Sequence, residues 1–229
     1  MKQTPATDLF NQTIFDILPS DTKKILEIGT GSGAMANAYK QINANVNYVG
    51  VEIDTDYQAL SERYCDTVYL ENFESPTDAL LHETDDADFI IFSDVLEHMY
   101  NPWKVLKTLS ERIPKHCRIL ASIPNIQHWS IQMRLLNGDF EYADSGLLDR
   151  THVRFFTRKT MVQLFTNNGF SINQITPRIF NFPNQDAHLS LIRKNAELLN
   201  INVEEAVIDA ASFQLVIDAQ IQTESHKRD

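Results

Sequence analysis

The chain has 229 residues, of which 20 are Lys or Arg and 31 are Asp or Glu, so its formal net charge at pH 7 is −11. A content of 43% hydrophobic and 22% charged residues is typical of a folded globular protein and excludes a mainly disordered chain. The acidic balance argues against a nucleic-acid-binding protein, and no run of about 18 apolar residues predicts a membrane span. We therefore expect a cytoplasmic protein that binds neither nucleic acid nor membrane.

Short apolar runs alternate with amphipathic segments, a pattern that predicts an α/β fold with a mostly parallel sheet. Strands are predicted at residues 24–28, 47–53, 67–70, 88–93, 118–123, 170–176 and 212–221. Helices are predicted at residues 8–18, 33–42, 56–64, from Ser75 onward, 101–112, 157–168 and, as a helical insertion, 186–210. Because no Pro-, Gly- or Ser-rich linker divides the chain, we expect residues 1–229 to form a single domain.

Residues 126–156 interrupt the alternation of strands and helices. Loops carried by a rigid scaffold are a common location for specificity. This segment offers apolar and polar side chains suited to a ligand, namely Trp129, Phe140, Tyr142, His152 and Arg154. We therefore expect it to form one side of a ligand pocket and to act as its partly mobile cover.

Three of the seven glycines fall at Gly29, Gly31 and Gly33, between a predicted strand and a predicted helix. Glycines in such a turn allow a ligand to approach the backbone, and the following helix offers unpaired N–H groups. The spacing Gly-x-Gly-x-x-Ala also satisfies the dinucleotide fingerprint, with Glu52 about 20 residues further on to hold a ribose. The turn thus predicts a nucleotide-type cofactor, or otherwise a tight turn without a ligand.

Glu27, two residues before the first glycine, distinguishes between two cofactors. A carboxylate at this position would repel a pyrophosphate and attract an ammonium group. S-adenosylmethionine carries an ammonium and a sulfonium and has no phosphate. Glu27 therefore favours S-adenosylmethionine over a nicotinamide dinucleotide.

An ordered series of motifs resembles class I S-adenosylmethionine-dependent methyltransferases over roughly residues 20–180. The resemblance rests on E-I-G-T-G-S-G at residues 27–33, Y-V-G-V-E-I-D at 48–54 and S-D-V-L-E-H-M-Y-N-P-W-K-V-L at 93–106. Two further segments, S-I-P-N-I-Q-H-W-S at 122–130 and G-L-L-D-R-T-H-V-R-F-F-T at 146–157, are similar to a bacterial branch associated with ubiquinone or glycan biosynthesis.

The resemblance implies a Rossmann-like, seven-stranded sheet with strand order 3-2-1-4-5-7-6, an antiparallel last strand and helices on both faces. It also implies S-adenosylmethionine as cofactor, with Glu52 in the place of the acid that takes both ribose hydroxyls. Asn72 and Phe73 occupy the adenine-contacting positions, where the family often has an acid, and Phe73 could instead be a core residue. The implied cofactor-binding residues are Glu27, Gly29, Thr30, Gly31, Gly33, Glu52, Ile53, Asn72, Phe73, Ser93 and Asp94.

Two histidines are candidates for the base that an oxygen acceptor requires. His98 follows the predicted fourth strand, and His152 lies in the covering segment. Each could alternatively be structural, His98 by fixing its turn and His152 by linking loop and helix. Asp94, Glu97 and His98 also have a composition that could hold a divalent cation, but we predict no metal.

We therefore predict an enzyme, an S-adenosylmethionine-dependent methyltransferase that methylates a small molecule, most simply on oxygen, as a monomer or homodimer. The Asn/Asp-Pro-Pro-aromatic tetrad typical of enzymes that methylate amino groups of DNA is absent from the sequence. The alternatives are a non-catalytic S-adenosylmethionine-binding regulatory protein and an NAD-dependent oxidoreductase. The latter is disfavoured by Glu27 and by the lack of a second catalytic domain.

Overall fold

The computed structural model describes residues 9–223, and within them seven strands form one sheet of order β3-β2-β1-β4-β5-β7-β6. Strand β7 runs antiparallel to both of its neighbours, and the other neighbouring pairs are parallel. The strands are β1 (Lys24–Ile28), β2 (Asn47–Glu52), β3 (Thr67–Leu70), β4 (Phe89–Ser93), β5 (Arg118–Pro124), β6 (Phe170–Ile179) and β7 (Ser212–Ile221). The predicted strand order and the antiparallel last strand are confirmed.

Within residues 9–223, helices flank the sheet. They are α1 (Gln12–Phe15), α2 (Ala34–Ile42), α3 (Thr55–Ser61), α4 (Asp78–His82), α5 (Pro102–Arg112), α6 (Trp129–Leu136), α7 (Arg158–Thr166), α8 (Gln185–Leu198) and α9 (Val203–Ala211). A single 3₁₀ turn, Leu96–His98, lies between β4 and α5. Within residues 9–223, none of these helices has the length and apolar character needed to cross a membrane.

The core lies on both faces of the sheet because its central strands are apolar at almost every position. On one face, Ile90 of β4 belongs to a cluster with Leu106 of α5 and Phe165 of α7. On the other, Ile91 belongs to a cluster with Met35 of α2. Each fully buried side chain of this kind contributes roughly 1.5–3 kcal/mol to the free energy of unfolding.

Two helices begin later than predicted because of the residues that cap them. The Asn11 side chain accepts hydrogen bonds from two backbone N–H groups, so α1 is shorter than the predicted helix at residues 8–18. Residue 8 itself lies outside the described residues. Thr77, not Ser75, caps α4 with its side-chain oxygen.

The predicted helix at residues 186–210 is two helices, α8 and α9. Asn200, between them, adopts a left-handed backbone conformation with φ of +52°. Asn202 then caps α9 by accepting a hydrogen bond from the Glu205 N–H group. Asparagine tolerates the left-handed region and is a strong capping residue, so these two positions explain the break.

The strand directions decide which strand ends lie at the same edge of the sheet. The carboxyl ends of the parallel strands β1, β2, β4 and β5 lie at one edge of the sheet. Because β7 is antiparallel to both β5 and β6, the carboxyl end of β6 and the first residues of β7 lie at that same edge.

Candidate functional site

A cavity of about 1160 Å³ opens at the carboxyl edge of the sheet. One side, here the donor side, is formed by the glycine turn after β1 and the end of β2. The opposite side, here the acceptor side, is formed by the 3₁₀ turn, residues 145–153 and the ends of β6 and β7 that meet there. All of the implied cofactor-binding residues except Gly33, and both candidate catalytic histidines, line the cavity.

The glycine turn presents backbone to the cavity at Gly31. This residue has φ of +52°. Apart from its two chain neighbours, no atom of residues 9–223 lies within 4 Å of where a Cβ would stand, so the space beside it is open among the described residues. Gly33, in contrast, does not line the cavity. A Cβ on Gly33 would lie 3.1 Å from the Ser61 Cα, so this glycine allows the start of α2 to pack against α3.

Glu52 holds the glycine turn through its carboxylate. Its Oε2 accepts the Gly31 N–H at 2.8 Å, and its Oε1 accepts the N–H groups of Ile53 and Asp54 at 2.7 and 3.0 Å. A carboxylate offers about four acceptor positions. Three backbone donors therefore leave about one position on Glu52 for a ligand hydroxyl.

Glu27 is a buried carboxyl on β1, with 4% of its surface exposed. Its Oε2 accepts hydrogen bonds from the hydroxyls of Thr30 and Tyr48, both at 2.9 Å. Burial, helped by the charge of Glu52, raises its pKa to about 7, although the two hydroxyl hydrogen bonds oppose the rise. Near neutral pH this carboxyl is poised to ionise beside a cation.

The two predicted adenine contacts differ in their surroundings. Asn72 is exposed, and its Oδ1 accepts the Glu74 N–H at 2.9 Å. Phe73 is buried, and its ring meets that of Phe92 edge-on with 6.0 Å between centroids. Phe73 is therefore both a core residue and a wall of the cavity.

Asp94 follows β4 in a left-handed conformation with φ of +57°, which is uncommon for a residue other than glycine. Its Oδ1 accepts the Ser122 hydroxyl at 2.9 Å and the Gln214 amide at 2.6 Å. Burial raises the pKa of Asp94 to about 6, while the Ser122 hydrogen bond and the charge of Arg178 oppose the rise. The strained backbone places this carboxyl between the donor and acceptor sides.

His98 and His152 meet on the acceptor side, with 4.8 Å between their ring centroids. His98 Nδ1 lies 3.1 Å from the Thr151 carbonyl oxygen, and His152 Nδ1 lies 3.4 Å from the Leu147 carbonyl oxygen. A carbonyl only accepts, so each Nδ1 carries the proton and each Nε2 keeps a free lone pair. Burial lowers the pKa of both imidazoles, so both are neutral at pH 7.

Glu97 lies beneath the two histidines and is 1% exposed. Within residues 9–223, neither of its carboxyl oxygens has a hydrogen-bond partner, and Oε1 lies 3.9 Å from His152 Nε2. Burial raises its pKa well above the usual range, and the charges of Asp94 and Asp149 raise it further. Glu97, His98 and His152 each offer one potential ligand atom, all within 4.8 Å of one another, whereas Asp94 is not part of this group.

Only part of the predicted covering segment reaches the cavity, chiefly residues 145–153. The expectation that Trp129, Phe140, Tyr142 and Arg154 would line it is wrong, whereas His152 does line it. Trp129 is buried against α8 and α9, in a cluster with Ile192, because the helical insertion covers it. Phe140 and Tyr142 are partly exposed and pack against each other with 5.7 Å between ring centroids.

The comparison with protein families identifies the family of this chain. A family model described as a methyltransferase domain matches residues 6–175. The chain belongs to the methyltransferase domain family. This membership confirms the prediction of a methyltransferase enzyme and decides against the oxidoreductase and the non-catalytic binding protein. None of the curated proteins matches the sequence.

Solved structures with the same fold include three that this methyltransferase resembles at low sequence identity. An S-adenosylmethionine-dependent methyltransferase from Mesorhizobium loti is 13% identical, with a TM-score of 0.59, over 91% of this chain and 96% of that chain. Magnesium protoporphyrin IX methyltransferase from Synechocystis, solved with bound SAH, is 12% identical (TM-score 0.59; 92% and 83% covered). The O-methyltransferase of a trans-AT PKS multienzyme from Brevibacillus brevis, in complex with S-adenosyl-L-homocysteine, is 14% identical (TM-score 0.58; 92% and 70% covered).

The methyltransferase site contains residues that sequence reasoning missed. Arg178 at the end of β6, and Phe213 and Gln214 at the start of β7, line the acceptor side. No local motif marks them. The implied strand order was the available signal, because an antiparallel seventh strand brings its first residues, and the end of the sixth, to the carboxyl edge.

Proposed function

We propose that this methyltransferase, whose cofactor is S-adenosylmethionine, transfers a methyl group to an oxygen atom of a small-molecule acceptor. The observation that carries the proposal is the pair His98 and His152, two neutral imidazoles 4.8 Å apart at the cavity wall. An oxygen acceptor has to lose a proton, and neutral imidazole is the side chain best suited to take it near pH 7. A non-catalytic protein would not need such a pair.

The donor side fits the cofactor in three respects. The open space at Gly31 admits a ligand against the backbone. Glu27 provides a carboxylate for an ammonium group, and Glu52 retains about one acceptor position for a ribose hydroxyl. Asn72 and Phe73 border the region where the family resemblance puts adenine.

S-adenosylmethionine supplies, when bound, a methyl group activated by a positively charged sulfur. The protein then has to align the acceptor oxygen and remove its proton. Alignment alone lowers the activation barrier by several kcal/mol. The carbonyl contacts at Nδ1 orient His98 and His152 so that Nε2 is the proton-accepting atom of each. Glu97 is a positioning residue in this scheme, because its buried carboxyl group lies 3.9 Å from His152 Nε2 and so restricts where that ring can lie.

Labelled cofactor tests the proposal directly. The protein is incubated with S-adenosylmethionine carrying a labelled methyl group and with fractionated metabolite extracts. We expect the label on an oxygen atom in the small-molecule fraction, and its loss with His152→Ala. Label on a nitrogen or carbon atom, or in the protein or nucleic-acid fraction, would contradict the proposal.

A further inference from the structure

We propose that the methyl acceptor carries an anionic group, a carboxylate or a phosphate, and that Arg178 binds it. This inference rests on the proposed function, because it assumes that the acceptor occupies the side of the cavity where Arg178 lies.

The strand that carries Arg178 lies far from the glycine turn in the sheet. The residue ends β6, and four strand spacings of about 4.8 Å put β6 roughly 19 Å from β1 and its glycine turn. The family resemblance puts the adenosine on the β2 and β3 side of β1, in the opposite direction. The Arg178 side chain starts from the β6 end of the cavity, and its guanidinium reaches Gln214 at the start of β7, on the acceptor side.

Two contacts fix the Arg178 guanidinium in place. Its Nη1 donates a hydrogen bond to Gln214 Oε1. Its central carbon lies 5.3 Å from the centroid of the Phe180 ring, in cation–π contact. A guanidinium held in this way loses little conformational entropy when it binds a second partner.

The charge of Arg178 has no carboxylate partner within 4.0 Å among residues 9–223, unlike Arg150, the other arginine of the cavity, which pairs with Asp144. A guanidinium has five N–H donors, and the Gln214 hydrogen bond uses one of them. Arginine matches carboxylate and phosphate groups through two parallel hydrogen bonds. The remaining donors of Arg178 are thus suited to an anion that enters the cavity.

Asp94 does not take the place of that anion. Its Oδ1 is hydrogen-bonded to Ser122 and to the Gln214 amide nitrogen, so the Gln214 side chain lies between the carboxylate and the guanidinium. Gln214 connects the two groups, and Arg178 acts on Asp94 through space. The geometry therefore leaves the cavity-facing donors of Arg178 to the acceptor.

The test uses the full chain saturated with S-adenosylhomocysteine and three probes: benzoate, phenyl phosphate and benzamide. An aromatic ring is chosen because Phe213 supplies an apolar wall nearby. The guanidinium Nε–H resonance of Arg178 is followed by NMR and assigned by its absence in Arg178→Lys. We expect benzoate or phenyl phosphate to shift it saturably and benzamide to leave it unchanged, and the tighter of the two anions identifies carboxylate or phosphate.

Two variants complete the test. Arg178→Gln should weaken the binding of the preferred anion at least tenfold while leaving the affinity for S-adenosylhomocysteine within threefold. Arg193→Gln, at a surface arginine paired with Glu204, should leave both unchanged. The inference is overturned if neither anion shifts the resonance, if benzamide binds as well as benzoate, or if Arg178→Gln weakens only S-adenosylhomocysteine binding. Failure of the unaltered protein to bind S-adenosylhomocysteine would instead remove the proposed function.

Discussion

On the donor side of the cavity, Glu27 and Glu52 accept hydrogen bonds from two hydroxyls and three backbone N–H groups. On the acceptor side, Glu97 is as deeply buried, yet neither of its oxygens has a partner within residues 9–223. A buried polar group without a partner costs about 1–3 kcal/mol of stability. The two carboxyls of the donor side are thus held in place by hydrogen bonds, whereas the Glu97 carboxyl on the acceptor side has no such anchor among these residues.

The largest effect should come from removing a histidine on the acceptor side. His152→Ala should lower turnover by on the order of 100-fold, because general-base catalysis contributes 10²–10⁴-fold. The affinity of this variant for S-adenosylhomocysteine should stay within about threefold of that of the unaltered protein, a difference below roughly 0.7 kcal/mol. His98→Ala should also lower turnover. Since the pKa of both histidines is lowered from 6.5, the rate at saturating cofactor should fall only when the pH drops below that value.

The surface histidine His116, which is largely exposed, provides the control for these variants. His116→Ala should leave turnover and affinity for S-adenosylhomocysteine unchanged. Unaltered turnover in both His98→Ala and His152→Ala would show that neither histidine is the base.

The next largest effect should come from the donor side. Glu52→Ala should weaken the binding of S-adenosylhomocysteine by roughly 1–3 kcal/mol, because charge-assisted hydrogen bonds to the ligand and to the glycine turn are both lost. Calorimetry measures this change, with the exposed Glu62→Ala as the matched control. Tighter binding of NAD than of S-adenosylhomocysteine by the unaltered protein would contradict the cofactor assignment.

Two variants of similar side-chain size compare the donor-side Glu27 with the acceptor-side Glu97 through the free energy of unfolding. Glu27→Met should lower the free energy of unfolding by about 1–3 kcal/mol, because the Thr30 and Tyr48 hydroxyls lose their acceptor. Glu97→Met should raise it by about 1 kcal/mol, since it removes a buried carboxyl without a partner. Urea unfolding measures both. Destabilisation by Glu97→Met would show that Glu97 stabilises the folded protein.

The donor side could be predicted from sequence because its requirements are local. A backbone at φ of +52° requires a residue such as Gly31, and the glycine turn lies directly between β1 and α2. The acceptor side is assembled from distant segments, as the 98–152 histidine contact and the 178–214 strand pairing show. Side-chain pattern alone contains no signal for such contacts, and the location of Trp129 under α8 and α9 was therefore missed.

A smaller effect should appear in the pH dependence of cofactor binding. The pKa of Glu27 is raised to about 7 by burial, so this carboxyl is largely protonated at pH 6 and largely ionised at pH 8. The ligand ammonium favours the ionised form. The affinity for S-adenosylhomocysteine should therefore fall about tenfold from pH 8 to pH 6, with proton release on binding near pH 7. Glu27→Gln should remove this dependence, and an equally steep fall in that variant would assign it to another group.

The smallest effect, none, is expected from removing divalent cations. Glu97, His98 and His152 offer atoms within 4.8 Å of one another, but the single acid of the group has its pKa raised well above the usual range. The second acid that the sequence suggested for a cation, Asp94, has one carboxylate oxygen hydrogen-bonded to Ser122 and Gln214. In the proposed reaction an imidazole base has to keep its Nε2 lone pair for a proton, and a bound cation would occupy it. Methyl transfer should therefore persist in EDTA. If EDTA abolished the activity and magnesium restored it, the three groups would be metal ligands and not two candidate bases with a positioning carboxyl.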